Sequence, residues 1–507
     1  MSSESTPLTG TPATSKAGTP FALPVSIPVP TLVGLASLFV AAALQVLGPA
    51  SWAGVGLAAV AALLLGLDRR FGPLGGGLIV LLALPYGRAA DGLAVQLANL
   101  PVRPADAAVA VAVLVTLARW RTFVGWRTIA VNDRAPLLLL GAVLGLGVMA
   151  LVIGIAVGQD PRDIGRDLRW WLLYGALGLA IVLGSTRAQL FSAFRIGTTI
   201  FALVVVTTAV LPAFTDGLKH GVLVYDLGLL RMQFGNSVFL LPVIGFVAYG
   251  ILQRPRAIDV ALLALLSGTV VLSLTRTSIL TMAGMIGLMI VVAYLLPELR
   301  GRRPRVRQAL LVVVTTAVAG AAAIGLAVVG TPAKASGPII PGNPAVAVSP
   351  LDRVLFQDAG TNLNATVSEQ GGRFATYRNA VALIAKSPIV GHGFGSLVAV
   401  PFAYDATRAA TLDMQPGVDD AYLTIAMKAG LLGVIAFTLL LAYAVRMVIS
   451  DRGERAWLLP AWAAIVVLTI TQSFAVSNYG PFALALFIGL SIRGYADSRG
   501  ATAASQV

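Results

Sequence analysis

Two adjacent carboxylates, Asp419 and Asp420, open an apolar run, GVDDAYLTIAMKAGLLGVIAF, with Tyr422 just beyond them. A carboxylate held beside a reacting hydroxyl can orient it and take its proton, so the pair are candidate general bases. The ordinary alternative is an N-cap and first-turn acid, favoured by the helix dipole. Cations collect upstream. In DPRDIGRDLR, Arg162, Arg166 and Arg169 are spaced to share one helix face. Arg231 precedes a helix expected from about Asn236, and Arg276 stands in a short turn between two strongly apolar runs, LSLTRTSILTMAG. A guanidinium held at membrane depth by two helices is a natural phosphate ligand, the reading for Arg276; interfacial snorkelling accounts equally for the DPRDIGRDLR cations, and a lone interfacial arginine is the alternative for Arg231.

A second polar concentration is GGRFATYRNAVALIAKSPIVGHGFG. Phe374, Tyr377, Val381 and Ile384 recur at helical spacing, with Arg373, Arg378 and Lys386 off that stripe, so an amphipathic helix is expected here. Pro388 and glycines 391, 393 and 395 end it. The stripe reads as packing surface. His392, inside the glycine-rich stretch, is a candidate sugar contact. The chain has two histidines and no cysteine, and no P-loop, dinucleotide fingerprint, HExxH motif or metal-ligand spacing is present. No metal or cofactor is expected.

The elements that must position these residues are membrane helices. The chain is 57% hydrophobic and 11% charged, with mean hydropathy +0.86, against about 25% charge in soluble domains. About fourteen apolar runs approach the roughly 20 residues that cross a hydrocarbon core. They are 31–48, 52–67, 74–86, 104–118, 136–156, 170–184, 190–211, 237–252, 258–274, 278–296, 309–329, 421–445, 456–472 and 479–492. The expected fold is therefore all-α and polytopic, with one large extracytoplasmic loop at 331–420. Residues 1–30 and 494–507 read as cytoplasmic tails, 31–330 as an N-terminal bundle, and 421–493 as C-terminal membrane helices. Basic loops at 68–70, 119–134, 253–256, 300–307 and 446–455 fall on one side if the spans alternate, which makes both termini cytoplasmic. The net charge of +14 then reports sidedness and gives no reason to expect nucleic acid.

The order of these motifs resembles the O-antigen ligase and O-antigen polymerase superfamily, the Wzy-C type of bacterial envelope glycosyltransferases. The resemblance rests on Arg231 before Gly235-Asn236, on Ser273, Thr275, Arg276 and Ser278 as S-x-T-R-x-S, on the Arg373 to Tyr377 element ending in SPIVGHGFG, and on DDAYL followed by GLLG. It implies metal-independent transfer of a glycan from a polyprenyl-diphosphate-linked oligosaccharide to an acceptor hydroxyl on a glycan or lipid-linked glycan. The site would lie at the outer face of the bacterial cytoplasmic membrane, among membrane lipids. Outer-face arginines would grip the diphosphate, which fits Arg276 and Arg231, with Arg166 and Arg169 behind them. Arg373 and Tyr377 would shape a lid. Many such ligases carry His-Asn where this chain has Asp419-Asp420, so the histidine's role does not transfer. A transporter or flippase of lipid-linked saccharides is the alternative from another class. It would place charges at span centres and show inverted repeats, whereas these spans read as nearly free of central charge. Polymerases of the shape, elongation, division and sporulation type, and a catalytically dead scaffold, are further alternatives.

Overall fold

The computed structural model describes residues 28–47, 52–84, 95–97, 100–119, 134–183, 185–210, 224–226, 229–231, 237–295, 305–330, 372–401, 412–451, 455–477 and 479–504. The tail 1–27, residues 331–371 and 402–411 of the large loop, and the basic connections 120–133 and 300–304 lie outside them.

Helices dominate. In chain order they are α1 (Val29–Leu47), α2 (Trp52–Leu67), α3 (Gly72–Ala83), α4 (Pro104–Arg119), α5 (Arg134–Val157), α6 (Pro161–Leu172), α7 (Gly175–Val182) and α8 (Arg187–Val210). There follow α9 (Ser237–Gln253), α10 (Ala257–Leu272), α11 (Arg276–Leu295), α12 (Val306–Gly330), α13 (Gly372–Lys386), α14 (Ala421–Ser450), α15 (Arg455–Thr471) and α16 (Gly480–Ala504). Small antiparallel hairpins interrupt the series: β1 (Val95–Leu97) with β2 (Leu100–Val102), β3 (Val224–Asp226) with β4 (Leu229–Arg231), and β5 (Val398–Pro401) with β6 (Leu412–Gln415). These hairpins were not expected, since a few residues are too short a run for a period of two to show.

A helix that is apolar all round has no face to offer water and is buried or faces lipid. Both outcomes occur. Helices α3, α9 and α16 are enclosed, with Leu78–Leu82, Val238–Leu241 and Phe482–Ile488 almost wholly buried. The outer helix α12 instead exposes Val306, Leu310, Val313 and Val318. Among the described residues, α5, α11, α14, Arg187–Thr207 of α8 and Val306–Ala327 of α12 are long and apolar enough to cross a membrane, and the remaining apolar helices are shorter. The expected span 170–184 divides into α6 and α7, because the turn at Leu173–Tyr174 tightens to i→i−3 bonds, Tyr174 N–H to Trp171 O and Leu177 N–H to Tyr174 O.

Helix ends meet in two groups. At one end Thr31 donates to Asp68, Gln189 Nε2 to Arg69 O at 2.8 Å, and Arg187 bonds Leu490 O and pairs with Asp451 at 2.6 Å. The other end carries the starts of α4, α11, α14 and α16, together with α6 and the glycine-rich loop.

That loop is wedged between α5 and α14. Phe394 N–H donates to Ala150 O at 2.9 Å, and a Cβ added to Gly154 would stand 2.2 Å from Phe394 O. Replacing Gly154 by Ala should cost about 1–3 kcal/mol as overpacking and lower the thermal midpoint in detergent. Gly141→Ala, on the same helix with nothing within 4 Å of the added carbon, should leave it unchanged.

Candidate functional site

Helix α6 forms where its sequence specifies it. Asp160 caps it, its Oδ1 accepting from Arg162 N–H at 2.7 Å, and Pro161 occupies the first turn. Ile164, Asp167, Trp170 and Trp171 then face inward. Trp171 Nε1–H donates to Val143 O at 2.8 Å, fixing α6 against α5.

Two arginines of α6 are already engaged. Arg166 pairs with Asp163 at 2.7 Å and lies 3.6 Å from Asp167. Arg169 pairs with Asp106, in the first turn of α4, donates to Tyr479 Oη at 2.8 Å, and stacks over Trp170 with 4.4 Å from guanidinium carbon to ring centroid. Tyr479 also donates to Asp106. Arg162 is exposed.

Asp167 is buried and paired with Lys428 of α14, which is equally buried. The pair is completed by backbone: Gly395 N–H donates to Asp167 at 2.8 Å and Lys428 Nζ to Ser396 O at 3.0 Å. A cavity of about 10 Å³ adjoins the pair, lined by Trp170, Trp171, Tyr174, Phe394, Thr424 and Val476, among others. That is roughly room for one water.

Lys428 reaches this point because α14 is broken. Gly430 has φ 65° and ψ −166°, a region closed to other residues without strain, and a Cβ there would stand 2.1 Å from Ile389 O. The break frees carbonyls that the loop then satisfies: His392 N–H donates to Met427 O at 2.9 Å and Gly393 N–H to Lys428 O at 3.0 Å. On the far side, Leu431 N–H donates to Pro388 O at 2.8 Å. Glycines 391, 393 and 395 all take positive φ to make these approaches. The loop thus substitutes for one turn of helix.

Asp420 is the N-cap of α14, its Oδ1 accepting from Leu423 N–H at 2.9 Å, while Asp419 is exposed. Burial lifts the Asp420 carboxyl above its ordinary value, partly offset by the N–H groups of Leu423 and Tyr422. The Tyr422 ring lies 5.8 Å from that of Phe437. The His392 ring Nε2 is 2.7 Å from Leu383 O, and Tyr377 packs with Ala380, Val398, Val418 and Met427. The inward stripe of α13 therefore runs through Tyr377, Ala380 and Ile384. Val381, expected on it, is 54% exposed, because Asn379 bonds Ala399 O at 2.8 Å and turns Ala380 toward the contact. Arg373 lies in α13 and Arg231 in β4, but their side chains, like that of Phe374, lie outside the described residues, as do Gly235 and Asn236.

Arg276 begins α11 after a turn in which Leu274 has φ 46°, the one positive φ outside glycine among the described residues. Gln472 Nε2 donates to Ser278 Oγ at 3.3 Å. The segment after Gln472 leads past Ala475, whose carbonyl accepts from Tyr174 Oη at 2.5 Å, and past Val476 at the cavity to Tyr479. Arg276 thus stands at the same end of the bundle as Asp167, Arg169 and Lys428. Asp106, Asp167, Lys428 and Tyr479 were not picked out from the sequence. Lys428 gave a signal, as a lone cation inside the run 421–445, which the description of those spans as nearly free of charge passed over.

Breaking this pair alone leaves a buried charge. Lys428→Met should destabilise by about 3–5 kcal/mol. Adding Asp167→Leu should regain much of that but not all, since Gly395 N–H and Ser396 O keep lost partners; thermal unfolding of the single and double variants in detergent would measure this.

Residues 261–438, about a third of the chain, match the family model described as O-antigen ligase. No curated protein gives a match to the chain.

Proposed function

We propose, from that O-antigen ligase domain, that the chain is a membrane glycosyltransferase. It moves a glycan from a polyprenyl-diphosphate-linked donor to an acceptor hydroxyl, without a metal, at the outer face of a bacterial cytoplasmic membrane. One observation carries the reading: the matched segment holds Arg276, the α13 element, the glycine-rich loop and Asp419-Asp420 together. The long apolar helices fit a membrane location.

In this reading the acceptor oxygen attacks the anomeric carbon and a C–O bond forms. The bond from that carbon to the phosphate oxygen breaks, and the diphosphate leaves with the electron pair. Guanidinium groups stabilise that growing charge, the part assigned to Arg276 and Arg231. Arg166 and Arg169 are secondary, because their carboxylate partners compete with phosphate. The acceptor proton goes to Asp420 or Asp419. Burial raises the basicity of Asp420, and its cap hydrogen bond works against that. Tyr422, His392, Arg373 and Tyr377 border the sugar.

The direct test is release of carrier diphosphate from a purified polyprenyl-diphosphate oligosaccharide in liposomes with chelator present. Arg276→Ala should lower transfer by about 10²–10³-fold at unchanged protein level. Full transfer by that variant excludes the diphosphate role. Movement of intact donor across the bilayer without release favours a carrier instead.

The pH profile separates the aspartates. A base must be ionised to act, so transfer should rise with pH through a limb above the ordinary Asp value of 3.8, given the upward shift of Asp420. Asp420→Asn should remove that limb and Asp419→Asn should keep it; the reverse pattern assigns the base to Asp419.

A further inference from the structure

Helix α14 is longer than a membrane is thick. Its thirty residues, Ala421–Ser450, would span about 45 Å against a hydrocarbon core of about 30 Å. The break at Gly430 divides it unevenly. No residue of 421–430 is exposed, whereas Leu431, Leu432, Ile435 and Leu439 beyond it are exposed and apolar. Leu431–Ser450 is the last twenty residues, about 30 Å of helix, and carries no charge before Arg446. Helix α5 gives a second ruler. Gly154, packed against the glycine-rich loop, stands about 30 Å along α5 from Arg134. Both place the edge of the hydrocarbon near Gly430.

The hydrogen bond from Leu431 N–H to Pro388 O sets the turn after α13 at that same level. Ile389 in this turn is 62% exposed. The outward stripe of α13 leads to it: Arg378, Val381, Ala382, Ala385 and Lys386 recur at helical spacing and all are exposed. The stripe has a cation near each end and small or apolar residues between, and it continues onto the exposed apolar face of α14.

We propose that α13 and the 387–390 turn rest on the bilayer interface. Ile389 and Val381 dip among the upper acyl chains, and Arg378 and Lys386 meet lipid phosphates, as amphipathic helices do on phospholipid surfaces. The occupant of this face is phospholipid. The inference depends on the helices crossing a membrane and is independent of which reaction the chain performs.

The chain has no cysteine, so any single introduced cysteine carries a unique spin label. Full-length Ile389→Cys and Val381→Cys, reconstituted in phospholipid vesicles, would be compared with Leu439→Cys as the hydrocarbon reference and Asp419→Cys as the aqueous one. Spin relaxation by oxygen should be strong at Ile389→Cys, and relaxation by a polar nickel chelate several-fold weaker than at Asp419→Cys, with Val381→Cys following the same pattern. Nickel relaxation equal to that of Asp419→Cys would put the turn in water. Weak relaxation by both reagents would mean that protein covers it. Either result overturns the proposal.

Discussion

A lysine enclosed in an apolar helix needs an anion, and the contact of Lys428 with Asp167 decides how this end of the molecule is built. The pair joins α14 to α6, and its remaining hydrogen-bonding capacity is taken by Gly395 and Ser396 of the glycine-rich loop. Without it, two helices and a loop would lose their common point. The Gly430 break belongs to the same arrangement, since opening the helix lets the loop approach closely enough to reach Asp167. A buried pair of this kind contributes little net stability against an apolar substitute, but it is unforgiving about register.

The two ends of the bundle use charge differently. At the end with Thr31, Asp68, Arg187 and Asp451, polar contacts tie helix termini together. At the other, Arg166, Arg169 and Lys428 are interleaved with Asp106, Asp163 and Asp167. This second set is balanced in charge, three cations against three carboxylates. Arg276 opens α11 at this same end, beside the strained turn at Leu274.

Much of the fold was legible because local chemistry and burial agreed. The spacing of Arg162, Arg166 and Arg169 fits α6, Asp420 before an apolar run announces the start of α14, and Pro388 ends α13. The apolar runs located nearly every long helix. What escaped was tertiary. Asp167 and Lys428 lie 261 residues apart, and no periodicity connects them. The face of α13 was misjudged at Val381 because packing was decided by a small residue, Ala380, and by Asn379 reaching a strand too short to foresee. Asp106 and Tyr479 stand far apart in the sequence, and Arg169 brings them together.

The separation of 261 residues between Asp167 and Lys428 also bears on how the protein is made. At about 5–20 residues per second, the ribosome adds Lys428 roughly 13–50 s after Asp167. During that interval an unpaired carboxylate cannot sink into lipid without heavy cost. Helix α6 must wait at the water boundary and move inward only when α14 arrives with the loop. The amino-terminal helices are thus held in a provisional arrangement, and the last third of the chain completes them, so truncation before α14 should leave a protein that inserts but does not close.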